Sequence, residues 1–218
     1  MERKLTAWRK NRKLGDVAGG RKWPKVEDQI VRRENSLKPP VPGQALPILI
    51  EDNPSRDYFF PVTIEEARDH LQTFPQEDVS GITHLWLRRI NTRAYRVAGR
   101  PLAEYIWGSG VRAIILYPWS RDRLLKMGSG RPAMSTQKRY SRWTTELVQE
   151  GGEWSLRWSD EALRDFYLTA LLGHEVGHHR DPHRRSKANG RQQEEFAEQY
   201  AIRWMPDGEE LFVTKAEV

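Results

Sequence analysis

The spacing of apolar residues along the chain predicts several strands followed by two helices. Runs of apolar and β-branched residues typical of strands cover 45–50, 82–90, 111–117, 142–149 and 154–158. The run VRAIILY at 111–117 is apolar on both faces after Arg112, so we expect it to be the most buried strand. The last two runs flank Gly151-Gly152, which is a hairpin signal.

Helical signals occur in three segments. The sequence T-I-E-E at 63–66 has the form of a capping box and predicts a helix to about residue 73. A longer helix is predicted over 160–179, with Ser159 or the following aspartate as its N-cap, and its two apolar stripes favour a central position. A last helix is predicted over 191–204 and ends before a proline. Because the strands precede the two long helices instead of alternating with them, the pattern predicts the α+β class.

The first 43 residues differ from the rest of the chain. They contain few apolar residues and no sustained periodicity, and a Gly-Gly pair and three prolines interrupt them. We therefore predict a flexible basic extension over 1–43 and one folded domain over 44–218. Basic residues spaced by Trp8 and Trp23 can bind single-stranded nucleic acid, and a purely solubilising tail is the alternative.

Composition excludes several classes of protein. The 218 residues contain no cysteine, which excludes a disulfide scaffold, a cysteine-ligated metal site and a cysteine nucleophile. Mean hydropathy is −0.78, and no apolar run approaches the length of a membrane span. We expect a cytoplasmic protein without membrane association. The nine tryptophans are spread singly, which favours core packing over a stacking surface.

Charge is unevenly spread along the chain. Residues 84–142 hold 13 basic against 2 acidic residues and residues 1–40 hold 12 against 5, whereas 41–83 and 143–218 are net acidic. Segments of one sign favour an acidic partner such as nucleic acid. The alternative is that basic and acidic segments balance each other once the chain is folded. The arginines that we consider for nucleic-acid binding are Arg88, Arg89, Arg93, Arg96 and Arg100.

The most specific chemical signal is an HExxH motif near the end of the long predicted helix. Its histidines, His174 and His178, lie four residues apart and share a helix face, so both imidazoles can reach one metal ion. Zinc suits histidine ligands and leaves room for a water molecule, from which Glu175 can take a proton. The alternative is a pair of core histidines beside a surface glutamate.

A third ligand is available on the following helix. Glu194, Ala197, Glu198 and Ala201 share one face there, and a carboxylate on this face can approach the metal beside the small alanines. Glu195 points about 100° away from Glu194 and is expected to be solvated. A wet acidic helix face without a metal is the alternative.

The combination of HExxH with E-x-x-A-E resembles the gluzincin branch of the zincin metallopeptidases. The resemblance implies that His174, His178 and Glu194 hold one zinc ion per chain. It further implies that Glu175 is the general base and that Glu198 orients a ligating histidine.

The same resemblance has consequences for the fold. It covers 160–206 and implies a zincin-like mixed sheet packed on the central HExxH helix, followed by a second C-terminal helix. Substrate in this family lies extended along an edge strand, and the predicted hairpin at 142–158 is our candidate for that strand. Residues 194–206 are also similar, to a lesser degree, to ImmA/IrrE-type metallopeptidases.

One role stays open in this reading. Peptide hydrolysis needs a group that stabilises the negative charge developing on the carbonyl oxygen. The sequence offers four residues for contact with this oxygen or with substrate: Tyr140, His179, Tyr200 and Arg203.

These observations predict a zinc metallopeptidase that cleaves a protein or peptide substrate through a metal-bound water activated by Glu175. One alternative is a nucleic-acid-associated protein that binds through 1–40 and 84–142 and uses zinc structurally or for regulation. A protease that acts on a DNA-bound protein would combine the two, and a zinc hydrolase of a non-peptide amide is a further alternative.

Overall fold

A mixed four-stranded sheet forms one layer of the molecule. The computed structural model describes residues 37–89, 101–182 and 190–205. The strand order is β1-β3-β5-β4, in which β1, β3 and β5 are parallel and β4 runs antiparallel to β5. These strands are β1 (Ile48–Glu51), β3 (His84–Leu87), β4 (Ala103–Gly108) and β5 (Val111–Leu116), and a two-residue strand, β2 (Tyr58–Phe59), lies outside the sheet.

The centre of the sheet is where sequence predicted the most buried strand. Leu85 pairs with Ile114 between β3 and β5, and both side chains are fully buried. The adjoining strand β4 was not predicted. It is joined to β5 by a tight turn in which Ser109 and Gly110 have φ of +49° and +79°, the positive values that a two-residue hairpin needs.

The remaining strands form smaller sheets. The predicted hairpin is present as β8 (Thr144–Glu150) and β9 (Glu153–Trp158), and β7 (Leu124–Gly128) completes a three-stranded sheet of order β7-β9-β8. A short pair joins β2 to β6 (Trp119–Ser120).

Helices cover the sheet and carry the HExxH motif. The predicted capping box is present at Thr63, ahead of α1 (Ile64–Leu71). Two short helices, α2 (Gln76–Val79) and α3 (Met134–Tyr140), were not predicted. The long predicted helix consists of α4 (Asp160–Asp165), a π-helical segment (Phe166–Leu171) and α5 (Leu172–Arg180), and α6 (Gly190–Trp204) follows. The α+β class is therefore confirmed.

The core lies between the sheets and the long helix. Residues 166–170 of the π-helical segment are all buried, as expected for a central helix. Trp158 packs on Phe166, with ring centroids 4.9 Å apart, and Trp119 lies 5.2 Å from Trp158. The prediction that tryptophans fill the core is confirmed for these two and for Trp86 and Trp143, all of which are buried. No helix in the described ranges is both long enough and apolar enough to cross a membrane.

Helices α5 and α6 approach each other closely because small residues line their contact. A Cβ added to Gly177 would lie 2.7 Å from Cα of Ala197, and one added to Gly173 would lie 3.3 Å from Cα of Ala201. Only glycine permits the first approach, since real Cβ atoms essentially never come within 3.0 Å of another heavy atom. The helix separation is thus set at Gly177.

We expect Gly177→Ala to destabilise the protein by about 1–3 kcal/mol, although alanine is the better helix former by about 1 kcal/mol. The added methyl group would meet the backbone of α6, which can yield only if the helices move apart. Chemical denaturation measures the change. Gly190→Ala is the control, because no atom lies within 4 Å of its added Cβ. Equal stability of Gly177→Ala and the unchanged protein would contradict this account of the helix contact.

Candidate metal centre

Two imidazoles of α5 meet at their Nε2 atoms. His174 and His178 lie one helical turn apart, and their Nε2 atoms are 3.0 Å from each other. The side chains are 27% and 20% exposed, so the rings sit at a partly open surface of the helix. The i, i+4 spacing thus brings two metal-ligating atoms to one point, as predicted from sequence.

The carboxylate of Glu194 completes a three-residue cluster. Its Oε2 lies 3.3 Å from Nε2 of His174, and its Oε1 lies 3.6 Å from Nε2 of His178. Tetrahedral zinc with ligands at about 2.0–2.2 Å requires ligand atoms about 3.3–3.6 Å apart. Both distances to Glu194 match this separation, and the two imidazole nitrogens, at 3.0 Å, lie slightly closer than it. The three side chains have the ligand chemistry of a zinc site, and Glu194, which is 67% exposed, leaves the cluster accessible to solvent.

Electrostatics at the cluster favours neutral imidazoles. Burial lowers the pKa of His174, and the positive charge that His178 carries when protonated lowers it further, while Glu194 opposes both effects. Burial also lowers the pKa of His178. A neutral imidazole keeps a lone pair for a metal, so these shifts favour metal binding over protonation.

Glu175 is a buried carboxyl beside this cluster. Its side chain is 4% exposed, and its Oε2 has no hydrogen-bond partner among the described residues. Burial raises the pKa of Glu175 well above its usual range, the negative charges of Glu194 and Glu104 add to the shift, and the backbone N–H of Tyr105 opposes it. A bound divalent cation would also oppose the shift, so a metal at the cluster would help Glu175 to act as a base.

The two other acidic residues of the E-x-x-A-E segment differ in their contacts. Oε1 of Glu198 accepts a hydrogen bond from Arg139 at 2.8 Å, and the charge of Glu198 raises the pKa of His174. Glu198 is therefore close enough to the cluster to affect the pKa of His174, but the side chain that it contacts directly is Arg139 and not a histidine ring. Glu195 pairs with Arg191 on its own helix, as expected for a solvated residue.

Two residues considered for the developing oxyanion are engaged elsewhere. The Tyr200 hydroxyl donates to Asp78 at 2.6 Å. His179 uses both ring nitrogens, with Nδ1 2.9 Å from the Tyr105 hydroxyl and Nε2 2.9 Å from the Ser80 carbonyl.

The other two residues considered for this role remain exposed or half-buried. Arg203 lies exposed near the end of α6. Tyr140 is half-buried, and its ring packs on Phe166 with centroids 6.2 Å apart.

The hairpin named as the candidate substrate strand lies in a different sheet from the one on which the HExxH helix packs. The hairpin of β8 and β9 belongs to the three-stranded sheet, whereas α5 packs against β4 and β5 of the four-stranded sheet. Among the described strands, the edge strand beside the HExxH helix is β4, and the backbone N–H of its Tyr105 lies next to Glu175. Sequence analysis missed β4, although the strand is as long as β5 and the Gly-Ser-Gly turn at 108–110 between two apolar runs was a usable hairpin signal.

The arginines considered for nucleic-acid binding do not form one exposed patch in the described part of the chain. Arg88 is buried, with its guanidinium 5.0 Å above the Trp86 ring, whereas Arg89 is exposed. Arg93, Arg96 and Arg100 lie outside the described residues.

Elsewhere the basic segment 84–142 pairs with acidic residues from 143–218. The ion pairs that join the two segments are Arg123–Asp160, Lys126–Glu153, Arg139–Glu198 and Arg142–Asp165. The alternative in which the two segments balance each other on folding therefore has direct structural support.

Comparisons of the chain with protein families, with curated proteins and with solved structures found no match.

Replacing Glu194 by Gln is expected to weaken zinc binding at least about 100-fold, because a direct ligand should matter at least as much as the outer-sphere partners of a metal site. Competition with a chromophoric chelator measures the affinity. Glu195→Gln is the matched control, since it removes an adjacent carboxylate that pairs with Arg191 and should leave affinity unchanged. Equal losses in both variants would mean that Glu194 acts only through general charge.

Proposed function

We propose that this protein is a zinc-dependent metallopeptidase of the gluzincin type. The observation that carries the proposal is the convergence of His174, His178 and Glu194 from two helices onto one point, with a buried carboxyl, Glu175, directly beside it. The HExxH and E-x-x-A-E segments supply independent support through their resemblance to gluzincins. A structural zinc site has less support, because the cluster is partly open and Oε2 of the neighbouring Glu175 has no hydrogen-bond partner among the described residues.

Zinc, when bound, supplies Lewis-acid polarisation and lowers the pKa of a water molecule. Glu175 then takes a proton from the attacking water as its oxygen bonds to the peptide carbonyl carbon. The same carboxyl passes that proton to the amide nitrogen as the C–N bond breaks. Burial raises the pKa of this carboxyl, which favours its uptake of the proton from water.

The substrate backbone is proposed to lie along β4. This strand ends the four-stranded sheet within the described residues, and it runs beside the HExxH helix. An extended peptide can add to a sheet edge through main-chain hydrogen bonds. Such a placement would bring a peptide bond near Glu175, because Tyr105 of β4 interacts with that carboxylate through its backbone N–H.

Tyr140 is proposed to stabilise the negative charge that develops on the carbonyl oxygen. Burial raises the pKa of Tyr140, so its hydroxyl stays protonated and can donate a hydrogen bond. The preceding residue, Arg139, contacts Glu198 one turn beyond Glu194, which brings the end of α3 close to the metal-binding face of α6.

Glu175→Gln is expected to lower peptide cleavage by about 10²–10⁴-fold while zinc stays bound, because the amide cannot accept the proton and Glu175 is not one of the ligands. Mass spectrometry of a mixed peptide library, incubated with each protein with and without a zinc chelator, measures cleavage. Metal analysis of each protein measures whether zinc stays bound. Comparable cleavage by both proteins would exclude Glu175 as the base. Absence of chelator-sensitive cleavage in the unchanged protein would contradict the peptidase proposal.

Tyr140→Phe is expected to lower kcat by about 10²-fold with little change in KM or zinc affinity, since only a transition-state hydrogen bond is lost. Kinetics on a peptide identified from the library measures the two constants separately. Tyr58→Phe is the control, because it removes the same hydroxyl group from a tyrosine on β2, a strand that carries none of the residues proposed for the site. A changed KM with unchanged kcat would assign Tyr140 to substrate binding instead.

A further inference from the structure

A short segment that precedes β3 in the chain contacts both helices that carry the proposed metal ligands. Asp78 lies in α2, a four-residue helix, and is only 9% exposed. Its Oδ1 is 2.6 Å from Nε of Arg180, two residues beyond His178 on α5. Its Oδ2 accepts a hydrogen bond of 2.6 Å from the hydroxyl of Tyr200 on α6. One carboxylate therefore joins α5 to α6.

The same segment holds α5 at a second point. The Ser80 carbonyl can only accept a hydrogen bond, so His179 must donate to it from Nε2, which lies 2.9 Å away. In the neutral ring, Nδ1 then accepts from the Tyr105 hydroxyl on β4 at 2.9 Å. The α2 segment, the end of the HExxH helix and the edge strand are thus linked in series.

The hydrogen bonds that Asp78 makes with Arg180 and Tyr200 have features of strong interactions. Asp78 pairs with an arginine at 2.6 Å, and charge-assisted hydrogen bonds are shorter and stronger than neutral ones. Burial and the Asp78 carboxylate both raise the pKa of Tyr200, which therefore remains a hydrogen-bond donor. Phe74, just before α2, stacks on the Tyr200 ring with centroids 6.2 Å apart. Losing the carboxylate would leave its two partners without their common acceptor.

We propose that Asp78 is a positioning residue for the metal centre, whose carboxylate holds α5 and α6 in the relative orientation that brings Glu194 to His174 and His178. This inference rests on the proposed metal centre. The close approaches at Gly177 and Gly173 set how near the two helices lie. Asp78 adds polar contacts to both helices, to Arg180 beyond Gly177 on α5 and to Tyr200 on α6, and so restrains how one helix can shift or turn relative to the other.

The test uses the full chain with Asp78→Asn, which keeps the side-chain size and removes the charge. Zinc affinity is measured by chelator competition, ligand geometry by the visible absorption of the Co²⁺-substituted protein, and folding by circular dichroism of the metal-free form. We expect zinc affinity to fall about 10–100-fold, as for other residues that orient metal ligands, together with an altered Co²⁺ spectrum. Tyr200→Phe should shift both readouts in the same direction by less, since it removes only the α6 contact.

Glu77→Gln is the matched control, because it changes an exposed carboxylate in the same short helix and should alter neither readout. An unchanged affinity and Co²⁺ spectrum in folded Asp78→Asn would overturn the positioning role. If Asp78→Asn does not fold, Tyr200→Phe decides, and an unchanged affinity and spectrum in that variant would overturn the role. Failure of the unchanged protein to bind zinc would refute the metal centre itself and the inference with it.

Discussion

The contact between Gly177 on α5 and Ala197 on α6 is the constraint on which the candidate metal centre depends. Because a Cβ at Gly177 would lie 2.7 Å from the α6 backbone, the two helices come closer than ordinary side chains would permit. The side chain of a glutamate spans only a short distance, so a glutamate on one helix can contact histidines on another only where the two helices lie close together. The close approach therefore allows Glu194 to meet both imidazoles, and the rest of the fold serves to keep α5 and α6 in this arrangement.

Negative charge is concentrated around the same point. The carboxylates of Glu194 and Glu104 both raise the pKa of buried Glu175, so this carboxyl lies within the electrostatic field of two other acids. Tyr117 donates a hydrogen bond to Glu104, and Arg139 offsets the charge of Glu198, whereas the contacts of Glu194 are the two histidines. A divalent cation is the partner that this charge distribution favours.

The fold adds a feature of the charge distribution that a count along the chain does not show. The surplus of basic residues over 84–142 resembles a nucleic-acid footprint when it is counted along the chain. In the described part of the fold, cations from this segment meet acids of the C-terminal segment, as Arg123 does with the exposed side chain of Asp160 at 2.8 Å. Ion pairs of this exposed kind contribute little to stability, but each offsets one positive charge of the segment.

Sequence alone determined the features that depend on local spacing. The HExxH histidines, the capping box at Thr63 and the hairpin across Gly151-Gly152 are set by neighbours within a few residues, so periodicity and turn chemistry were sufficient to predict them. Tertiary structure alone decided which strand borders the HExxH helix, how Glu198 is paired and that Asp78 joins both helices. These contacts connect residues about 60 to 120 positions apart, as between Asp78 and Tyr200. Their geometry depends on how the helices and sheets pack, which the local pattern of residues does not encode.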